Sequence, residues 1–196
     1  MDSILNQTVS YFPSVTATGA GVDVNLLTLL QSDKHRDIIT YLRGCDGAEA
    51  KRIKSTLPCY TVAGTFSTRS EAGLITLSGL ACVDLDSAED YDTLHLLHEL
   101  KKLDCIAYAG LSCSGRRLFA IVPFLHPDKY VKHYSMLIKS FERAGLPMGD
   151  NCHKQISQPR FVSWNDHSTQ FFNHAAKPYS LLPPQRTYHI PKLVTT

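Results

Sequence analysis

The sequence predicts an α+β fold in which two helices cover one face of an antiparallel sheet. Two segments in the second half of the chain support this, because each repeats apolar residues at the spacing of one helix face. Short apolar runs bounded by turn-forming residues surround these segments, as is typical of strands. From residue 75 to residue 164 the predicted order is strand, helix, strand, strand, helix, strand. This is the split βαβ order of ferredoxin-like and RNA-recognition-type sheets, in which the second sheet face stays available.

The first half of the predicted sheet lies in residues 74–85. An apolar run there suggests a hairpin strand followed by a central strand that ends at Asp84-Leu-Asp86. A helix follows from Ser87, since acidic residues occupy its first turns and lysines its last, which complements the helix dipole. Its predicted apolar face consists of Tyr91, Leu94, Leu97, Leu100 and Leu103.

The second half of the predicted sheet begins with residues 104–111 and 117–124. These two apolar runs are separated by a polar turn and are predicted to form a hairpin. A second helix begins at Pro127 and ends at Gly145, because proline favours the first turn of a helix and glycine its end. Residues 160–164 form the last short strand. The apolar stripe of the second helix is Tyr130, Tyr134, Leu137, Ile138 and Phe141.

We expect residues 1–180 to form a single domain, because a chain of 196 residues that is 43% hydrophobic can bury one substantial core. Residues 1–56 are predicted to be a mainly helical N-terminal part, which together with the strand and turn that follow makes an α/β elaboration. Residues 57–180 contain the core. Residues 181–196 carry helix-breaking prolines and are predicted to be a tail or linker.

Hydropathy, cysteine spacing and charge exclude several classes of protein. No segment approaches the ~20 apolar residues of a membrane span, and the N-terminus lacks the basic start and apolar stretch of a signal peptide. We therefore expect a cytoplasmic protein without a membrane partner. The six cysteines lack Cys-x-x-Cys spacing and are expected to be reduced, mostly structural thiols. A formal net charge of +2 does not by itself indicate a nucleic-acid partner.

The most informative feature is the pair Asp84 and Asp86 at the end of an apolar run. Side chains two residues apart in a strand point to the same face. Two carboxylates held close together repel each other unless a cation lies between them. The pair therefore predicts a divalent-metal site. The alternative is that both acids begin a loop and that Asp86 or Ser87 caps the following helix.

The second feature is the turn between the hairpin strands, which contains Ser112, Ser114, Gly115, Arg116 and Arg117. Glycine allows a close approach of the backbone to an anion, hydroxyl groups donate to phosphate oxygens, and arginines supply charge and forked hydrogen bonds. A phosphate cradle beside a metal describes a nucleoside triphosphate site. The alternative is an ordinary polar hairpin with solvated arginines.

The third feature is Asp150, followed ten residues later by Arg160. Asp150 comes after the second helix, so the chain can return it to the sheet near the first two acids. Three carboxylates would then hold one or two magnesium ions for in-line phosphoryl transfer. The alternative is that Asp150 is a turn residue.

Together these features resemble the archaeo-eukaryotic primase and primase-polymerase superfamily. The closer resemblance is to the VirE N-terminal domain group, a bacterial branch linked to mobile elements and often fused to helicase-like modules. It covers roughly residues 50 to 180 and depends on motifs that occur in the same order in the family. The matching residues are Asp84 and Asp86, then Ser114, Gly115, Arg116 and Arg117, then Asp150 with Arg160.

The resemblance implies a nucleotidyltransferase with an RNA-recognition-like primase-polymerase core that acts in DNA replication of a mobile element. It implies that Asp84, Asp86 and Asp150 are catalytic and bind Mg²⁺ or Mn²⁺. The residues implied to bind the nucleotide triphosphate are Ser112, Ser114, Gly115, Arg116, Arg117 and Arg160. The implied partners are single-stranded or primed DNA lying across the open sheet face and a helicase-like partner or fused module.

The chain departs from the family pattern at the end of the second motif. The family has a histidine that is taken to contact the nucleotide phosphates, and this sequence has Phe119 or Ala120 there. His126 or His153 is a candidate to replace it in space. The departure leaves open a second function, that of a non-catalytic relative that binds nucleic acid or a replication partner. Whether the chain is an enzyme is therefore undecided from the sequence.

Overall fold

Ten strands and five α-helices make up the computed structural model, which describes residues 2–86 and 92–180. The strands form three sheets. The strands are β1 (Thr8–Phe12), β2 (Val22–Asn25), β3 (Cys59–Thr61), β4 (Gly64–Phe66), β5 (Leu74–Leu77), β6 (Leu80–Leu85), β7 (Tyr108–Leu111), β8 (Leu118–Pro123), β9 (Arg160–Phe161) and β10 (Gln170–Phe172). The helices are α1 (Leu26–Gln31), α2 (Arg36–Arg43), α3 (Gly47–Thr56), α4 (Thr93–Lys101) and α5 (Tyr130–Arg143).

One four-stranded sheet has the order β10-β7-β8-β6. β8 lies between β6 and β7 and is antiparallel to both, so β6 and β7 run parallel to each other. α4 connects these two parallel strands along the chain. The predicted hairpin between β7 and β8 is also present. The prediction of an α+β chain with an antiparallel sheet is confirmed.

α4 and α5 cover one face of this sheet, as predicted. Alternate residues of β6 and β8 belong to that face, since strand side chains alternate with a period of two. They form one apolar core with the two helices. Its strand residues include Ala81, Val83, Leu85, Leu118, Ala120 and Val122, and its helix residues include Leu96, Leu100, Tyr134, Leu137 and Phe141.

The opposite face of the sheet is covered too, so the prediction of an open face is wrong. Leu80, Phe119 and Ile121 are at most 1% exposed. The reason lies in β8, which is buried at every position, because a strand that is apolar on both faces must be covered on both faces. The second core that covers this face includes Leu5, Val9, Leu26, Ile39, Leu42, Ile53, Leu57 and Tyr60.

The strand predicted at residues 160–164 forms as β9 but joins a different sheet. β9 pairs with β3 in the sheet of order β2-β1-β3-β9. The outer edge of β6 is met instead by the chain after α5. Pro147 O accepts a hydrogen bond from Asp86 N, and Asp84 O accepts one from Gly149 N, both at 2.9 Å. β6 is therefore an edge strand of its sheet rather than the predicted central strand.

The N-terminal part contains strands as well as helices. β1 and β2 pair within residues 1–56, which were expected to be mainly helical. β1 has the sequence Thr-Val-Ser-Tyr-Phe, and its β-branched and aromatic residues favour a strand. The predicted hairpin partner of β6 also differs, because β5 pairs with β4 in a separate two-stranded sheet.

Both predicted core helices are present. α5 follows a short 3₁₀ turn at Pro127–Lys129 and buries its whole predicted apolar stripe. α4 begins at Thr93, although a start at Ser87 was expected, and the carboxylate of Asp92 accepts a hydrogen bond from Leu94 N at 2.9 Å. Asp92 therefore caps this helix rather than Asp86. Leu94 is 56% exposed, so its predicted place on the buried face is wrong.

Two predicted segments lie outside the described residues. These are residues 87–91, which include the predicted helix start at Ser87, and residues 181–196, the predicted tail or linker. Among the described residues, no helix combines the length and the apolar character needed to cross a membrane.

Candidate functional site

A cleft of about 260 Å³ lies beside the carboxyl end of β6, where residues from both four-stranded sheets meet. Most of the site residues predicted from the sequence line it. These are Asp84, Ser112, Ser114, Arg117, Asp150 and Arg160. The lining also includes residues that the sequence prediction did not assign to the site, namely Lys54, Cys113, Cys152, His153, Gln158, Pro159 and Phe161.

Asp84 binds two side chains at the base of this cleft. Its Oδ1 lies 2.5 Å from Nη1 of Arg160, and its Oδ2 lies 3.3 Å from Nε2 of His153. Burial alone would raise the pKa of Asp84, but Arg160 and then His153 outweigh burial and hold the pKa of this carboxyl well below its usual value. Asp84 is therefore an anion in the folded protein.

Arg160 is held by an aromatic ring as well as by a carboxylate. Its guanidinium carbon lies 3.6 Å from the centre of the Phe119 ring, and Phe119 is the β8 residue directly opposite Asp84. Arg160 is 8% exposed, and its Nε has no hydrogen-bond partner in the part of the chain that the structure describes. Burial would lower the pKa of Arg160, but Asp84 raises it above its ordinary value. This buried cation has spare hydrogen-bonding capacity.

The two residues at the place of the family histidine have different surroundings. Phe119 supports Arg160, whereas Ala120 belongs to the core under the helices. Of the two candidate replacements, His153 contacts Asp84, and it is 4% exposed. His126 lies against His133, with 5.7 Å between ring centres. Only His153 of these two lines the cleft.

Asp86 has a different partner from Asp84. Its Oδ1 lies 2.6 Å from Nε of Arg117, and both side chains are partly exposed. β6 ends at Leu85, so the alternation that would place both acids together stops between them. Asp86 does not line the cleft, but the side chain of Arg117 does.

Asp150 and Cys152 approach Asp84 from the segment after α5. Asp150 Oδ1 accepts a hydrogen bond from Cys152 N at 3.0 Å, and Cys152 Sγ lies 3.9 Å from Asp84 Oδ2. Hydrogen bonds from the thiol and the backbone N–H of Cys152 lower the pKa of Asp150. Burial, reinforced by Asp150, raises the pKa of the Cys152 thiol to about 12.

Two overlapping groups of side chains around Asp84 have the spacing of metal ligands. In each group, one ligand atom from every residue lies within 4.8 Å of the others. One group is Asp84, Asp150 and Cys152, and the other is Cys82, Asp84 and His153. Carboxylates suit Mg²⁺ and Mn²⁺, so Asp84 and Asp150 fit the expected ion, whereas thiol and imidazole donors suit transition metals.

The β7–β8 turn has a compact backbone. Ser112 N donates to Arg117 O at 2.8 Å and Gly115 N donates to Ser112 O at 2.9 Å. Gly115 has a φ of 71°, a left-handed conformation that side chains other than glycine rarely adopt. The hydroxyls of Ser112 and Ser114 lie 3.2 Å apart and both residues line the cleft.

The N-terminal helices hold this turn in place. Arg43 Nη2 at the end of α2 donates to Ser112 O and to Asn165 Oδ1, each at 3.0 Å. A Cβ on Gly115 would lie only 3.0 Å from Cδ of Arg43, so the turn packs directly on this side chain. Arg116 forms an ion pair with Asp46, the residue before α3, and does not line the cleft. Gly115 and Arg116 therefore position the turn, and the serines and Arg117 face the cleft.

Residues 52–169, more than half of the chain, match the model of the BT4734-like, N-terminal domain family. The chain belongs to this family. The matched region contains every predicted site residue, from Asp84 to Arg160. Comparison with curated proteins and with solved structures gave no significant match.

In this BT4734-like N-terminal domain, the cleft combines both signs of charge. Lys54 from α3 joins Arg117 and Arg160, and its ammonium lies 5.0 Å from the centre of the Phe161 ring. Asp84 and Asp150 supply the opposite charge. Such a cleft can bind an anion through its cations and a divalent metal through its carboxylates.

The sequence prediction missed Lys54 and Cys152, and it did not decide between His153 and His126. Lys54 has no motif around it in the sequence, and its contact with Phe161 is a tertiary feature that sequence spacing does not reveal. Cys152 was grouped with the structural thiols, and His153 was only one of two candidate substitutes. The available signal was their place next to Asp150, because a turn that delivers one ligand also delivers its neighbours.

Proposed function

We propose that this domain is a primase-polymerase-type nucleotidyltransferase that binds a nucleoside triphosphate and a divalent metal in DNA replication of a mobile element. The observation that carries the proposal is the cleft beside β6. It gathers two acids of the predicted metal set with two serines and two arginines of the predicted phosphate set. Residues far apart in the sequence, such as Asp84 and Arg160, meet there at 2.5 Å.

The strand order supports an RNA-recognition-like primase core. β6, β8 and β7 lie side by side with α4 and α5 on one face, as the split βαβ order requires. The fourth position of such a sheet, beside the first strand, is met here by the segment around Gly149 instead of a full strand. Asp150 directly follows Gly149 in this segment, so the third acid still lies in the cleft although a full fourth strand is replaced.

Asp84 and Asp150 would hold Mg²⁺ or Mn²⁺ in this proposal. The ion would neutralise phosphate charge and align the reacting groups for in-line transfer. Ser112 and Ser114 would donate to phosphate oxygens, and Arg117 would neutralise their charge. The cleft volume of about 260 Å³ is just below the ~300 Å³ of small-molecule pockets, which suits a phosphate chain with the base outside it.

Two of the three predicted metal acids are paired with arginines of the predicted phosphate set. Asp84 pairs with Arg160, and Asp86 pairs with Arg117. A metal alone must compete with Arg160 for Asp84, and a triphosphate alone must compete with a carboxylate for each arginine. When both bind, the metal would pair with Asp84 and the triphosphate with Arg160, so each ligand would release the group that the other one binds. We therefore expect each ligand to strengthen the binding of the other, as linkage requires.

The covered sheet face changes the proposed path of DNA. Phe119 and Ile121 on that face are buried by the N-terminal part, so single-stranded or primed DNA would approach along the mouth of the cleft. Lys54 at that mouth provides a cation for the phosphate backbone. A helicase-like partner or fused module remains the proposed replication partner.

A second candidate function is nucleic-acid or partner binding without catalysis. Phe119 stands opposite Asp84 and supports Arg160, so Asp84 has a structural role that does not need a metal. In this alternative the fold is kept and Asp84 serves the buried ion pair.

Calorimetric titration with a deoxynucleoside triphosphate, with and without Mn²⁺, tests the proposal. We expect binding of the wild-type chain that Mn²⁺ strengthens and that Asp150→Asn weakens by about tenfold or more. Asp150 is the right target because it is exposed, whereas Asp84 neutralises buried Arg160. Asp104→Asn is the matched control, since Asp104 is an exposed acid that pairs with Lys177 outside the cleft. Absence of nucleotide binding with or without Mn²⁺ would contradict the proposal and favour the non-catalytic alternative.

A further inference from the structure

The cleft contains a sulfur donor that nucleotidyl transfer does not require. Cys152 Sγ lies 3.9 Å from Asp84 Oδ2, and its ligand atom lies within 4.8 Å of those of both Asp84 and Asp150. The chain holds it there, because Cys152 N donates to Asp150 Oδ1 at 3.0 Å. Both Asp84 and Cys152 are half-buried, and Asp150 opens to solvent.

The other candidate metal ligands near Asp84 are Cys82 and His153, and both are buried. Cys82 is 1% exposed, its sulfur lies 3.5 Å from Nη1 of Arg160, and it does not line the cleft. His153 is buried, and its Nε2 already contacts Asp84 Oδ2 at 3.3 Å. A histidine that holds a ligating carboxylate is an outer partner that orients the ligand. Cys152 is thus the sulfur donor on the accessible side.

We propose that Asp84, Asp150 and Cys152 form a three-ligand site for a zinc-type transition ion, with a fourth position open to the cleft. Three protein ligands and an open position are the arrangement of zinc sites that take an exogenous ligand. The inference rests on the proposed function only through the shared Asp84 and Asp150. It adds Cys152 in place of Asp86, whose carboxylate pairs with Arg117.

The charges around the site are compatible with this ion. Two carboxylates and a thiolate carry three negative charges, and a divalent ion with Arg160 carries three positive charges. The thiol proton leaves to solvent when the Cys152 sulfur binds the ion as thiolate, so no other reactant is needed. Sulfur is a poor ligand for Mg²⁺ and a good one for Zn²⁺ and Co²⁺, so ligation by Cys152 should favour Zn²⁺ and Co²⁺, whereas Mg²⁺ would use only the two carboxylates.

Titration of the full chain with Co²⁺, followed by absorption spectroscopy, tests the site directly. A thiolate bound to Co²⁺ gives a ligand-to-metal charge-transfer band in the near ultraviolet, which carboxylate ligation does not give. We expect this band in the wild-type chain, its displacement by Zn²⁺, and little displacement by Mg²⁺. Cys152→Ser should abolish the band, and Asp150→Asn should weaken Co²⁺ binding by about tenfold or more.

Cys45→Ser is the matched control, because Cys45 is also half-buried but lies at the end of α2, outside the cleft. Its band should equal that of the wild type. No charge-transfer band in the wild type, or a band lost in Cys45→Ser but kept in Cys152→Ser, would overturn the inference. Nucleotide binding with Mg²⁺, measured on the same samples, separates the two proposals. A cobalt band without nucleotide binding supports the zinc-type site alone, and nucleotide binding without the band supports the proposed function alone.

Discussion

Two acid–arginine pairs begin two residues apart on the same stretch of chain, yet they have opposite surroundings. In the Asp84–Arg160 pair the side chains are 20% and 8% exposed. In the Asp86–Arg117 pair they are 34% and 55% exposed. Asp84 and Asp86 therefore have different roles, although both are aspartates and lie only two residues apart. The first pair is part of the buried structure, and the second is a partly exposed pair at the surface.

Burial explains why the two pairs should differ in energy. A buried charge that loses its partner costs about 3–5 kcal/mol, because nothing else compensates it. A solvent-exposed pair contributes only ~0–1 kcal/mol. Arg160 has the ring of Phe119 beside it but no second carboxylate among its described contacts. The burial of the Arg160 charge therefore depends on the carboxylate of Asp84.

The largest expected effect is that of removing the charge of Asp84. Asp84→Asn leaves Arg160 buried without a counter-charge, so the free energy of unfolding should fall by about 3–5 kcal/mol. Asp86→Asn, the matched substitution in the exposed pair, should change it by less than about 1 kcal/mol. Urea denaturation of both variants measures the difference. Equal losses in the two variants would show that burial does not separate the pairs.

Acid should weaken the buried pair in a defined direction. The pKa of Asp84 is lowered in the folded chain, so the unfolded chain binds more protons as the pH falls. The stabilisation is fully present above the ordinary carboxyl range near pH ~4 and is lost as the pH falls toward the lower pKa of the folded state. Urea denaturation between about pH 7 and about pH 3 should show a smaller acid-dependent loss in Asp84→Asn than in the wild type. Parallel pH profiles for the two proteins would contradict this assignment.

A smaller effect is expected from the ring under Arg160. Phe119→Leu keeps most of the buried apolar volume but removes the aromatic face, and should cost about 1–2 kcal/mol. Phe66→Leu is the control, since Phe66 is also buried and, within residues 2–86 and 92–180, no arginine or lysine lies over its ring. Thermal denaturation of the two variants compares them. If Phe119→Leu loses no more stability than Phe66→Leu, the contact between Arg160 and the Phe119 ring does not stabilise the fold.

Much of the core could be predicted from the sequence because its signals are local. β6, the β7–β8 hairpin and α5 follow from apolar periodicity and from turn residues such as Gly115 and Gly145. The covered sheet face was within reach of the same reasoning, since residues 118–123 are almost entirely apolar. The partner strand of β9 was not, because a short strand carries no information about which edge it will join.

The candidate site was predictable in part for the same reason. The motif residues Asp84, Asp150 and Arg160 were identified in the sequence, and the fold brings them into one cleft. The partner of each acid was not predictable from the sequence. Asp84 and Asp86 have different partners because β6 ends before Asp86 and because β9, in another sheet, places Arg160 beside Asp84. The contribution of Lys54 depends on the packing of α3 against the core, which periodicity alone does not specify.

The contact between Arg43 and the β7–β8 turn has a consequence for where this domain can be cut. The family match begins at residue 52, so a fragment trimmed to that boundary keeps every motif residue. It loses Arg43, which binds Ser112 O, and Asp46, which binds Arg116. It also loses Leu26, Ile39 and Leu42, which shield the second sheet face. A fragment of residues 52–169 would therefore contain the motif residues of the site but lack the N-terminal residues that position the β7–β8 turn.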